Sequence, residues 1–159
     1  MSGTALIVDS VSTNRIICKA KLTAGFYRVL QAETGGAALD IITQRKPDIV
    51  ILSDNLPDMT ANSLCRQLKS GETSEWTPVV IFFQSGTNGD RITALQARAD
   101  DVLAKPREHS LMLARLHSLM RARDAAHELD LRDETARALG FAETGARFNH
   151  GARLAIVAV

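Results

Sequence analysis

Several things are scarce in this chain, and each scarcity excludes a class of function. There are 19 basic against 18 acidic side chains, a net charge of +1. That balance gives no electrostatic reason to expect nucleic acid or an anionic membrane as the main partner. Cysteine occurs only as Cys18 and Cys65, without CxxC spacing. The pair reads as two reduced, mostly buried thiols of a cytoplasmic protein rather than as a disulfide or zinc motif. No apolar run approaches the roughly 20 residues that span a bilayer. The opening MSGTALIVDS places no basic segment before its short apolar run, so it is not a secretory signal. His109, His117, His127 and His150 stand at no metal-ligand spacing with acidic or Cys partners. Gly35-Gly36 comes with neither a GxGxxG pattern nor a Walker lysine, so it reads as a turn before a helix. Trp76 reads as partial packing in a loop before Pro78.

What remains is a globular pattern. Hydrophobic residues make up 45% of the 159 residues, enough for one core-bearing domain and some extra length. Short apolar runs alternate with helical stripes. Ala5-Leu6-Ile7-Val8 is a first strand closed by Asp9. Ser12 is placed to N-cap a helix whose stripe is Ile16, Ile17, Ala20 and Leu22, and Gly25 ends it. A second strand covers 27–32, and Ala37, Ala38, Leu39, Ile41 and Ile42 mark a second helix. Ile49-Val50-Ile51-Leu52 is continuously apolar, as expected in the middle of a parallel sheet. Leu64, Cys65 and Leu68 mark a third helix, and Pro78 opens the strand Val79-Val80-Ile81-Phe82-Phe83. A fourth helix carries Ile92 and Leu95, a short strand follows at Val102-Leu103, and the chain is helical for a long way from Glu108. Met112, Leu116 and Leu119 are the residues of that helix expected against the sheet.

Five strands alternating with five helices predict an α/β fold. It is a doubly wound, five-stranded parallel sheet with an extended C-terminal helix. In such sheets the functional crevice lies outside the carboxyl ends of the strands, where the strand order reverses. Here those ends are Asp9-Ser10, Ser53-Asp54, Phe83-Gln84 and Ala104-Lys105.

A family resemblance appears at these ends. Ile7-Val8-Asp9, Pro47-Asp48 leading into the third strand, Leu56-Pro57-Asp58-Met59, and Leu103-Ala104-Lys105-Pro106 resemble the receiver domains of two-component response regulators, in consistent order over residues 4–122. Lys19-Ala20-Lys21-Leu22-Thr23-Ala24 and Gly89-Asp90-Arg91-Ile92 resemble the first receiver of the PleD-type diguanylate cyclases. In that family two receivers precede a domain that makes cyclic di-GMP. No cyclase sequence is present in this chain.

The resemblance implies the flavodoxin-like type of α/β fold and a definite chemistry. Two adjacent carboxylates after the first strand and an aspartate after the third hold Mg²⁺ in an oxygen cage. The third-strand aspartate is the nucleophile toward a phosphodonor. The cation and a lysine stabilise the transferring phosphoryl group. A hydroxyl after the fourth strand contacts the product, and an aromatic on the fifth strand changes rotamer in response.

This chain departs from that set at most places. Asp9 and Lys105 are kept, but the second acidic position is Ser10. The acceptor position, six residues after Pro47 and four before Pro57, is Ser53. The hydroxyl position is Phe83 and the aromatic position is Val102, which reads as a volume-conserving swap between adjacent strands. Asp54 is the alternative acceptor, but side chains alternate along a strand, so residue 54 should point away from residue 53. The expectation is a degenerate, non-phosphorylatable receiver. It has no catalytic residues, no cofactor and weak or absent Mg²⁺ binding, because Lys105 can balance Asp9 without a metal. The resemblance also implies a cis peptide before Pro106.

Past residue 122 the expected plan is a helical linker over 123–150, with a stripe at Ala122, Ala126, Leu129, Ala136 and Leu139. Residues 151–159 then read as the first strand of a truncated second domain, another receiver. The function expected is a regulatory, dimerising or docking module upstream of a diguanylate cyclase output. Its partners are a second copy, through the fourth helix, fifth strand and fifth helix or the linker, and other signalling proteins or the output domain. One alternative is a phosphorelay receiver using Asp54. A second is a small doubly wound enzyme or nucleotide-binding domain, which fold alone does not exclude.

Overall fold

The computed structural model describes residues 3–71, 77–83, 88–104 and 109–139. Trp76, Lys105, the bond to Pro106 and the expected strand at 151–159 lie outside the described residues. Strands β1 (Thr4–Val8), β2 (Arg28–Ala32), β3 (Ile49–Ser53), β4 (Val79–Phe83) and β5 (Asp101–Ala104) alternate with helices α1 (Ser12–Ala24), α2 (Gly35–Arg45), α3 (Ala61–Lys69), α4 (Asn88–Gln96) and α5 (His109–Ala138). All neighbouring strands are parallel, in the order β2-β1-β3-β4-β5. The order reverses between β1 and β3, so the crevice falls at the ends of these two strands, where Val8 is in register with Leu52. The doubly wound fold expected from the sequence is the fold found.

The sheet is buried on both faces because its central strands carry apolar residues at both parities. Leu6, Val8, Val50, Leu52, Val79 and Ile81 form one core layer with α2, α3 and α4. Ala5, Ile7, Ile49, Ile51, Val80 and Phe82 form the other, closed by Leu22 of α1 and by Met112 and Leu116 of α5. Leu119 packs at the margin of this second layer.

Three local expectations are corrected. Ser12 is the first residue of α1 rather than its cap; the cap is Val11, which makes no side-chain bond. Ile16 and Ile17 are 65% and 51% exposed, and Ala20 is exposed too. The buried side of α1 is Arg15, Cys18 and Leu22, an i, i+3, i+7 set. Gly35 and Gly36 are not a turn but the first residues of α2, whose N-cap is Thr34, its side chain accepting from the Ala37 N–H.

The chain divides into two compact units, Met1–Arg123 and Asp124–Val159. The first holds the sheet and both core layers. In the second, α5 exposes Leu129 and Leu131, and Leu139 just past its end is exposed too. Among the described residues no helix is long and apolar enough to cross a membrane.

Candidate functional site

The site is built where β1 and β3 end. Asp9 follows β1 directly and is 5% exposed. It is held by its own backbone and the turn beyond it. Its N–H donates to the Ala32 carbonyl at 3.1 Å, and its Oδ1 accepts from the Val11 N–H at 2.9 Å. Arg15 reaches back from α1, donating through Nη1 to the Asp9 carbonyl at 2.8 Å and through Nη2 to Glu33 Oε1 at 3.1 Å. Ser10 turns toward the loop after β3, its Oγ donating to the Asn55 carbonyl at 2.8 Å.

Ser53 is the last residue of β3 and is 4% exposed. Alternation puts it on the face of Ile49 and Ile51, and its register partner on β4 is Phe82. Its Oγ is buried and makes no hydrogen bond. Asp54 lies beyond the strand end and is exposed. Ser53 and Asp9 both line a cavity of about 220 Å³ between β1, β3, β4 and α1, reaching Met112 of α5. Of the residues singled out by sequence, the structure therefore brings Asp9 and Ser53 together. It sends Ser10 to the loop and Asp54 to the surface.

Phe83 ends β4 half-buried and packs against the layer that contains Val102, which is 7% exposed. The two expected switch positions thus share a face, but it is the face opposite Ser53. The bulky side chain in register with Ser53 is Phe82.

Two arrangements around the site escaped sequence reasoning. Asp58, in the loop after β3, accepts from the N–H groups of Gly35 and Gly36 through separate oxygens, each at 2.9 Å. These bonds hold its carboxyl below the usual carboxylate range. A Cβ on Gly35 would stand 2.5 Å from the Met59 side chain, so a larger residue there would have to displace Met59. At the opposite end of the sheet Lys69, 5% exposed, donates Nζ to the Thr77 carbonyl at 2.8 Å and to Asp100 Oδ2 at 2.6 Å. The same Asp100 oxygen accepts from the Val79 N–H at 2.7 Å. That buried cation ties α3 to β4 and to the turn before β5, far from the strand ends that form the crevice. Nearby, burial pushes the Cys65 thiol up to about 11.

Among the described residues no three His, Cys, Asp or Glu side chains converge as metal ligands. The donor set in the cavity pairs a carboxylate, Asp9, with a hydroxyl, Ser53. That set fits Mg²⁺ poorly, since the ion prefers six near-octahedral oxygens.

A family model described as "Response regulator receiver domain" matches residues 5–117. The chain is 36% identical over 159 residues to the response regulator PleD of Caulobacter vibrioides, covering 99% of this chain and 35% of that protein. It is 34% identical over 125 residues to the transcriptional regulatory protein KdpE of Mycobacterium tuberculosis, covering 79% of this chain and 54% of the relative. The chain thus spans about a third to a half of the length of these two relatives. Among solved structures, a putative response regulator from Chloroflexus aurantiacus superposes with a TM-score of 0.73 at 27% identity, over 76% of this chain and 99% of that one. The signal receiver domain of a histidine kinase from Syntrophus aciditrophicus gives 0.70 at 25% identity, over 76% and 91%.

Proposed function

Since this chain belongs to the response regulator receiver domain family, we propose that it is a receiver that does not take up a phosphoryl group and serves as a fixed regulatory or docking module of a longer signalling protein. The observation that carries this is Ser53. It stands buried at the end of β3 beside Asp9, while the neighbouring carboxylate, Asp54, is exposed outside the cavity. A serine hydroxyl is a weak nucleophile, and it does not replace a carboxylate as a hard-cation ligand. Ser10 adds no charge, and its hydroxyl is committed to the Asn55 carbonyl. Similarity to PleD along 99% of the chain, together with the motifs shared with its first receiver, supports a diguanylate cyclase as the output.

The test is chemical. The chain is incubated with acetyl phosphate and Mg²⁺, and its intact mass is read under conditions that preserve acyl phosphates. The expected mass is unchanged. A stoichiometric gain of one phosphoryl group that disappears in Asp54→Asn overturns the proposal and makes the chain a phosphorelay receiver with altered geometry. Millimolar Mg²⁺ should leave the melting temperature unmoved relative to a monovalent salt of equal ionic strength. A cation at 100 times its Kd would add about 2.7 kcal/mol, a shift of several degrees.

A further inference from the structure

The loop between β3 and α3, residues 54–60, leaves the crevice end of the sheet and is fastened from outside at two points. Near its start the Asn55 carbonyl accepts from Ser10 Oγ at 2.8 Å, across 45 residues of sequence. Near its end Asp58 accepts from the Gly35 and Gly36 N–H groups, each at 2.9 Å. Between the two, Leu56 packs against the core layer of α2, α3 and α4. The anchor of the first fastening is itself held. Ser10 sits between Asp9, whose carbonyl accepts from Arg15 at 2.8 Å, and Val11, whose N–H donates to Asp9 Oδ1 at 2.9 Å. The Asn55 side-chain oxygen is buried without a hydrogen bond, so it adds no bond of its own to hold the loop.

The residue type at position 10 decides how the first junction can be made. A hydroxyl both donates and accepts, whereas an ionised carboxylate only accepts. A carboxylate at position 10, as the receiver pattern has, would set two acceptors against each other at the Asn55 carbonyl. Such a pair is joined by a divalent cation, which takes carboxylate and backbone carbonyl oxygens alike. Ser10 makes the junction with its own proton. We propose that the Ser10 hydroxyl stands in for the cation: it straps the β3–α3 loop to the end of β1, so the loop keeps one position without metal. Ser10 thereby replaces the metal rather than merely failing to bind it. The inference deepens the reading of the chain as a fixed module and rests on it. A loop strapped in this way presents Asp54 and Pro57, both exposed, in the same place whatever the supply of cation.

NMR order parameters of the Asp54, Asn55 and Leu56 amides, measured on the full chain, read the strap. The parent should give values near ~0.85, the level of rigid backbone, in excess EDTA and in millimolar Mg²⁺ alike. Ser10→Thr keeps the donor and should match the parent. Ser10→Ala removes it, and the values should fall toward ~0.6 with no recovery in Mg²⁺. Ser10→Asp should be as loose in EDTA and should recover on adding Mg²⁺, with its melting temperature rising in step. An unchanged loop in Ser10→Ala overturns the proposal, as does a Ser10→Asp loop that is rigid without the cation or stays loose with it. The acetyl phosphate experiment on the parent chain separates the two proposals. Phosphoryl uptake with a rigid, metal-independent loop sinks the silent acceptor and leaves the strap, whereas no uptake and a loop that stays rigid in Ser10→Ala does the reverse.

Discussion

At the residue scale, the opposite surroundings of Ser53 and Asp54 were legible because strand geometry has a period of two. Counting from Pro47 and from Pro57 put Ser53 at the acceptor position, and Ser53 is buried in the cavity while Asp54 is exposed. The unpaired hydroxyl was not legible, because it depends on what the neighbouring strand and helix leave open. Nor was the face taken by Phe83, whose bulk joins the Val102 layer and leaves Phe82 beside Ser53. The two cysteines were read as alike, but they differ. Cys65 is fully buried with its thiol pushed up to about 11, whereas Cys18 is half-buried on α1 and lines the cavity. At pH 8 only about one Cys65 in a thousand is thiolate, and the thiolate is the reactive form. Iodoacetamide at that pH should therefore alkylate Cys18 and spare Cys65 until denaturant is added, as read by peptide mass mapping. Equal labelling of both in the folded chain would contradict the burial of α3.

At the element scale, apolar periodicity located every helix but oriented α1 wrongly. The stripe of Ile16, Ile17, Ala20 and Leu22 counted hydrophobic residues only. The helix instead turns Arg15 inward, 11% exposed, because its guanidinium is satisfied by the Asp9 carbonyl and by Glu33. A pattern that scores arginine as polar cannot see this. The Asp58 clasp on α2 was hidden for a similar reason, since it joins residues 22 and 23 apart in sequence. Its sign with pH is fixed. Asp58 has a folded pKa below the ordinary value of an aspartate carboxyl, so its contribution is present above that ordinary value and lost as pH falls through the lower, folded pKa. Asp58→Asn should melt earlier than the parent at pH 7, and the gap should close as pH falls through the folded pKa. A gap independent of pH would assign the effect to packing. Lys69 makes a third element-level device. Lys69→Met removes the ammonium and leaves the Thr77 carbonyl without its donor, while Asp100, 35% exposed at its side chain, stays partly solvated. A loss of about 2 kcal/mol, below the range for fully buried pairs, is expected as a lower urea midpoint at unchanged m.

At the scale of the whole molecule, the parallel doubly wound sheet was legible from the alternation of strands and helices, whereas alternation alone leaves the strand order open and the structure supplies it as β2-β1-β3-β4-β5. Association is set by surfaces instead, and here exposure is informative. Ile92 and Leu95, one helical turn apart on α4, are 57% and 54% exposed. On the neighbouring edge Asp101 of β5 is paired within the chain to Arg115 of α5 at 2.8 Å. An apolar α4 beside a polar β5–α5 surface has the composition of an interface core with its rim. The second unit offers a separate surface, with Leu129 and Leu139 exposed at 61% and 64%. A homodimer is therefore expected, and if the chain takes up no phosphoryl group, as proposed, it should be present with or without phosphodonor. Light scattering at several concentrations checks this on the full chain and on a chain ending at Gly140, which lacks the apolar run from Leu154. Ile92→Glu with Leu95→Glu should give a monomer, since a carboxylate buried without a partner opposes pairing. A dimer that survives both changes moves the contact to the C-terminal half of α5. Loss of the dimer on shortening alone would trace it to residues beyond 140 pairing edge to edge. A strict monomer at high micromolar concentration in every form removes self-association and leaves docking to another protein as the use of the exposed α4 face.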